Sequence, residues 1–253
     1  MSLGRWKPLA ALFCASVTAL FLVVPLGVLV WWAAEGIRGG RFAGIAWEAA
    51  ANTAVVSGLA AAFAVVAVLP VAILGWSRPS RGARLLERLT LVPNAVPGIA
   101  VALALVFFGV RVGGVLYQSL GMLVAAYVIR FMPQSLAATR SALVSVDPRL
   151  LDASRSLGRG QTSSYARVVL PLARPGILAG AALVFLSAMK ELPATLLLRP
   201  IGFDTLATEI WTLTTVGAYS RAALPALVLI AVSAPVLYLL SADRRPQSGS
   251  GVE

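Results

Sequence analysis

Six apolar runs, each close to the length that crosses a bilayer, constrain this 253-residue chain more than any other feature of its sequence. They lie near residues 9–32, 50–76, 89–108, 118–134, 173–198 and 221–241. A helix rises about 1.5 Å per residue and the hydrocarbon layer is about 30 Å thick, so roughly 20 apolar residues span it. Inside that layer the backbone must satisfy its own polar groups, which leaves helices as the way for separate runs of this length to cross. The expected fold is therefore an all-α integral membrane protein with about six transmembrane helices. A composition 59% hydrophobic and 12% charged agrees with it.

The first run follows Arg5 and Lys7 as a signal peptide would, but it continues from Leu9 past Val30, beyond the apolar stretch of a cleaved leader. It is read as a retained anchor. Basic residues distribute unevenly between the runs. Arg5, Lys7, Arg78, Arg81, Arg84, Arg88, Arg140, Arg149, Arg155, Arg159, Arg167, Arg174, Arg244 and Arg245 fall on one side, and Arg38, Arg41, Arg111, Arg199 and Arg221 on the other. The positive-inside rule then predicts both termini in the cytoplasm. Residues 1–48 hold the N-terminal end, first span and an external segment, 49–241 form the core, and 242–253 are a polar cytoplasmic tail. Residues 77–88 read as a short basic loop. Trp31, Trp32, Trp47 and Trp76 fall near span ends, where lipid anchoring is the simplest reading.

Several function classes drop out. The net charge of +11 lies between apolar spans and forms no basic domain, so nucleic acid is not an expected partner. With no histidine and a single cysteine, Cys14, ordinary Ser-His catalysis, disulfides and zinc sites are excluded, and no metal ligand is proposed. The two lysines, Lys7 and Lys190, precede Pro8 and Glu191, so no Walker sequence exists. The chain reads as a non-enzyme with no catalytic residues, no bound cofactor and no ATPase of its own.

Residues 135–172 are too polar to cross the membrane and read as two short helices. Asp147 is placed to cap the first, Pro148 suits its first turn, and Gly158 ends it in the left-handed conformation. Leu150, Leu151 and Leu157 form its expected apolar side, and Ala153 and Ser154 permit close approach of another surface. Gly158-Arg159-Gly160 turns into a second helix capped by Ser163 or Ser164, with Pro171 and Pro175 marking the start of the fifth span. A surface-lying amphipathic hairpin is the competing reading.

At these residues the chain resembles the cytoplasmic EAA loop of ATP-binding-cassette (ABC) importer permeases: Glu-Ala-Ala, three residues, Gly, nine residues, Ile, one residue, Leu-Pro. Asp152, Ala153 and Ser154 stand in the first positions, Gly158 in that of glycine, Val168 in that of Ile, and Leu170 and Pro171 close it. Asp for Glu and Ser for the second Ala keep charge and small size. Asn52-Thr53 and Pro97-Gly98 are similar to the same family's permease core. The resemblance implies a type I importer permease in a bacterial plasma (inner) membrane, with these loop residues docking on a separate ATPase dimer that uses the ATP. It further implies an extracytoplasmic solute-binding protein and a second permease subunit, either a copy or a homologue.

Lys190 and Glu191 interrupt the fifth run, followed by Pro193. Charges are expensive in lipid, and a proline break is tolerated where protein or water re-satisfies the backbone, so these three residues are candidates for a translocation pathway or gate. The competing reading has Lys190 snorkelling and Glu191 at the external interface. From Lys190 through Leu192-Pro193-Ala194-Thr195, Arg199-Pro200, Gly202-Phe203 and Thr205 to Trp211, the chain resembles iron(III) importer permeases more than their sulfate, molybdate, thiamine or polyamine relatives. That subgroup commonly fuses two such halves, of which this chain holds one. Iron(III) is the implied cargo. Another small solute, including phosphonate, or a gradient-driven secondary transporter using Lys190 and Glu191, are the alternatives.

Overall fold

The computed structural model describes residues 4–40 and 47–242, and no strand occurs among them. Its helices are α1 (Lys7–Arg38), α2 (Trp47–Ser77), α3 (Arg81–Leu91), α4 (Gly98–Leu116), α5 (Leu120–Val144), α6 (Pro148–Ser156), α7 (Gln161–Met189), α8 (Pro193–Leu198), α9 (Leu206–Thr215) and α10 (Tyr219–Ala242). Six of them, α1, α2, α4, α5, α7 and α10, are long and apolar enough to cross a membrane. The predicted tail beyond Ala242 and Arg41 lie outside the described residues.

Helices α2, α5 and α7 form the core. In a membrane, helix association relies on close packing, which small residues permit. Val56, Ala60, Ala64, Leu123, Tyr127, Val184 and Ala188 fill one cluster, and Val68, Ala72, Leu136, Leu143, Leu151, Val169 and Ala173 a second, nearer α6. Gly176 shows how tight the α5–α7 seam is: a Cβ there would lie 2.2 Å from the Ala142 Cβ. Gly176→Ala is expected to cost about 1–3 kcal/mol through overpacking, with Ala142→Gly restoring most of it; thermal unfolding of the purified protein in detergent reads both.

Several predicted boundaries move. The third span begins at Gly98, not 89, because residues 81–91 form the separate amphipathic helix α3, whose Ser80 side chain accepts the Ala83 N–H. The basic loop 77–88 is thus mostly helix. Its Glu87 is buried against α2, where an added Cβ on Gly75 would meet it, and pairs with Arg140 of α5 at 3.1 Å. The fourth span runs to Val144 instead of 134, and the fifth starts as a continuous helix at Gln161, so 135–172 is mostly the ends of α5 and α7 around one short helix. Gly160, not Ser163 or Ser164, occupies the N-cap of α7. The fifth span ends at Met189, followed by a break and then α8, so 190–198 do not continue it. Trp32 stacks on Tyr219 at 5.1 Å and Trp76 packs on the second core cluster, so both serve helix packing as well as any anchoring.

Two wide turns have a cause in sequence. Ala19–Val23 of α1 and Tyr165–Val169 of α7 have π geometry, and Pro25 and Pro171 stand two positions beyond them. Proline has no N–H to give and its ring crowds the carbonyl four residues back, so the preceding turn opens.

Candidate translocation pathway and coupling surface

The first site is α6 and the turn that follows it. The Asp147 carboxylate accepts the Arg149 N–H at 2.9 Å, and Pro148 takes the first helical position, where no N–H is missed. At the other end Gly158 has φ +80°, its N–H bonds the Arg155 carbonyl at 2.9 Å, and the Arg159 N–H bonds that of Ser154 at 3.3 Å. This pair of bonds closes a helix through a left-handed residue, which glycine adopts without steric cost. The helix therefore starts and stops through local chemistry alone.

Its faces differ from the predicted apolar side. Leu151 is buried in the second core cluster with Leu143, Val146 and Val169, whereas Leu150 is 45% and Leu157 82% exposed. Ser154 is buried and bonds Ser164 of α7 at 2.9 Å, while the Ser164 hydroxyl donates to the Gly160 carbonyl. Serine at the second alanine position thus fastens α6 to the start of α7. Asp152 and Ala153 are exposed beside Leu157, and Asp152 faces Arg155 at 3.9 Å, a surface pair of little energetic weight. Val168 and Leu170 are partly buried and Pro171 is exposed. The result is an outward apolar stripe on a helix whose inward face is tied to α7 and shares a core cluster with the end of α5.

The second site lies where α7 breaks. Lys190 ends α7 and is exposed, and Pro193 takes the first position of α8. Glu191 turns inward with 6% of its side chain exposed, and its carboxylate lies 3.1 Å from Nε of Arg130 on α5 as a charge pair, not an aligned hydrogen bond. The Ala194 N–H at the start of α8 also points to Glu191, at 3.4 Å. Tyr127 donates to the Thr195 hydroxyl at 2.6 Å, and Thr195 donates in turn to the Glu191 carbonyl. Gly98 explains the room for the guanidinium, since a Cβ there would fall 1.6 Å from Nη1 of Arg130. One helical turn along, Ser187 donates to Gln134 at 2.8 Å.

Arg130 is ten positions from Leu120 and fourteen from Val144, about 15 Å and 21 Å along α5, so the pair sits near the middle of that helix. Glu191 is therefore buried inside the bundle beside the middle of α5. Sequence reasoning singled out Lys190, Glu191 and Pro193 but missed Arg130, Tyr127 and Gln134. The available signal was an arginine within an apolar run, assignable to neither loop side.

At the α9 end, Thr53 donates to the Ala49 carbonyl and accepts the Leu206 N–H at 2.9 Å, and Asn52 donates to the Asp204 carbonyl at 3.0 Å. Asn52-Thr53 thus fixes the 199–206 connection to α2. Beside it Glu48, Asn52, Asp204, Glu209 and Thr212 line a cleft of about 300 Å³. Burial raises the Glu209 carboxyl above its usual range, an effect opposed by Arg221.

Comparison with known families decides what frame these sites belong to. The family described as binding-protein-dependent transport system inner membrane component matches residues 69–244, which include both sites. The chain belongs to this family. It is accordingly a multi-pass inner-membrane protein. A relative in Haemophilus influenzae, the Fe(3+)-transport system permease protein FbpB 2, is 32% identical over 234 residues, 90% of this chain and 46% of that protein. The chain therefore spans about half the length of that relative. Over 94% of the chain and 90% of the relative, it is 32% identical to a Haloferax volcanii protein named "Probable molybdenum ABC transporter permease protein". Among solved structures, a bacterial ABC transporter involved in the import of the acidic polysaccharide alginate aligns with a TM-score of 0.70 at 18% identity, covering 96% of this chain and 97% of that one. At that identity it shares the fold of this binding-protein-dependent component.

Proposed function

We propose that this chain is the permease subunit of an ABC importer whose ATPase is a separate chain, with iron(III) as its cargo. The observation that carries the first part is α6: a short helix, capped at both ends, that presents Leu150, Ala153 and Leu157 outward while Leu151 and Ser154 join it to the core helices. Such a piece transmits a push from a docked partner into α5 and α7 without chemistry of its own. Membership of a family named for binding-protein-dependent transport supports an extracytoplasmic binding protein. The excess of basic residues on the α6 side supports a cytoplasmic location for α6 and both termini. A second permease subunit completes the pathway, a reading supported by the partial exposure of Arg130 and the exposure of Lys190 in the single chain.

In the proposed mechanism, ATP binding closes the ATPase dimer, the loop from Asp152 to Pro171 carries that motion, and the spans alternate access around the α5–α7 seam. Iron rests on the sequence likeness from Lys190 to Trp211 and on the iron(III) relative. Molybdate is the second reading, favoured by the relative that matches nearly end to end. Right-side-out vesicles loaded with ATP and supplied with the binding protein test both. Uptake of labelled iron(III) is expected to need internal ATP and to persist with an uncoupler. Uptake indifferent to ATP and abolished by the uncoupler contradicts the proposal and identifies a gradient-driven carrier.

A further inference from the structure

The α5–α7 seam carries a charge balance that bears on what passes it. Arg130 and Gln134 share one face of α5 and meet the end of α7 through the Ser187–Gln134 bond and the Arg130–Glu191 pair, with the exposed Lys190 adjoining Glu191. Neither α5 nor α7 contains an aspartate or glutamate, so Glu191, just beyond α7, is the carboxylate that balances this seam. Its charge is taken up by Arg130, which still exposes 27% of its side chain. Lys190 is exposed with no ion-pair partner among the described residues. It sits beside a residue paired to the middle of α5, about 15 Å from the nearer end of that helix, and a charge placed there within a span calls for water or a ligand.

We propose that this seam takes the cargo as an anion: an oxygen-rich anionic group, either a free oxyanion or a metal ion held in an oxygen-donor chelate. The proposal rests on the permease reading above and deepens it. The partly exposed Arg130 side chain and the Lys190 ammonium supply charge-assisted donors, the Gln134 amide adds a neutral one, and a bare trivalent cation is repelled. If iron is the cargo, it passes this point with its charge reversed by its ligands.

The test reads the local potential without needing the cargo. In native membrane vesicles holding the assembled importer, Ser187→Cys is introduced on a Cys14→Ser background, since Cys14 is exposed. Modification by the anionic sulfonatoethyl and the cationic trimethylammonioethyl methanethiosulfonates is compared, each rate normalised to free cysteine. The anionic reagent is expected to be favoured at least tenfold, Lys190→Gln to bring the ratio near unity, and Lys190→Glu to invert it. Absence of reaction, a ratio near unity with Lys190 present, or a preference unmoved by Lys190→Glu overturns the proposal. Protection of the cysteine by molybdate, sulfate or phosphonate in the presence of the binding protein identifies a free oxyanion. Protection by ferric citrate identifies a chelated metal, and protection by none of them overturns the cargo assignment. Failure of the permease reading shows elsewhere, as absence of an ATPase from the purified complex.

Discussion

Arg130→Met is expected to destabilise the protein by about 3–5 kcal/mol, because it strands a carboxylate that the fold holds away from solvent. Glu191 exposes 6% of its side chain, and after the substitution its remaining neighbour is the Ala194 N–H. An unpaired buried charge costs more than the pair ever contributed, so the second substitution should work backwards: adding Glu191→Gln to Arg130→Met removes the charge, keeps an acceptor for Ala194, and restores most of the loss. Gly98→Ala reaches the same pair from the other side by occupying the place of the guanidinium, and should lose less, since the end of an arginine side chain can shift. Thermal unfolding in detergent of the parent, Arg130→Met, Glu191→Gln and the double variant, read as a double-mutant cycle, measures the coupling. An Arg130→Met protein as stable as the parent would mean the pair is not formed in the membrane.

Leu157→Asp is expected to weaken ATPase binding by about 2–3 kcal/mol, roughly 30- to 150-fold, with no loss of fold stability. The residue is 82% exposed and touches no core cluster, so its apolar side chain has no structural duty within the chain. On a docked partner it would lie at the centre of the contact, with Leu150 and Ala153 around it. Gly158→Glu should also prevent docking, but for a mixed reason: at φ +80° any side chain costs about 1–2 kcal/mol locally, although space around the position is open. Comparing the two separates a lost contact from a distorted helix end. Titration of the purified permease with its ATPase, by light scattering or calorimetry, reads both variants.

Features set by local chemistry could be read directly from the sequence. The spans were visible because a bilayer demands about 20 apolar residues, and α6 because Asp147, Pro148 and Gly158 act within a few positions of where they stand. What failed depended on distant partners. The polar ends of α5 and α7 looked like loop because their serines, threonine and arginines are not apolar, yet buried Ser135 and Thr139 pack in the helix interface. Ser164 looked like a cap because serine favours that role in isolation; instead it is buried one turn inside α7 against Ser154, whose position the sequence does not reveal. The amphipathic α3 was read as a basic loop because its inward residue is a glutamate that Arg140, far along the chain, neutralises. Arg130 escaped notice for the same reason: its partner, Glu191, is distant in sequence and is brought to it by the packing of α7 on α5.

The central claim is that α6 joins this membrane chain to an ATPase. Purification of the tagged, detergent-solubilised chain from its native membrane, with Leu157→Asp alongside and co-purifying proteins identified by mass spectrometry, tests it most directly. The account predicts an ATPase recovered with the parent chain and lost from the variant while the membrane protein itself is retained at equal yield. An ATPase bound equally to both would contradict α6 as the contact, and no ATPase with either, under mild conditions, would contradict the importer.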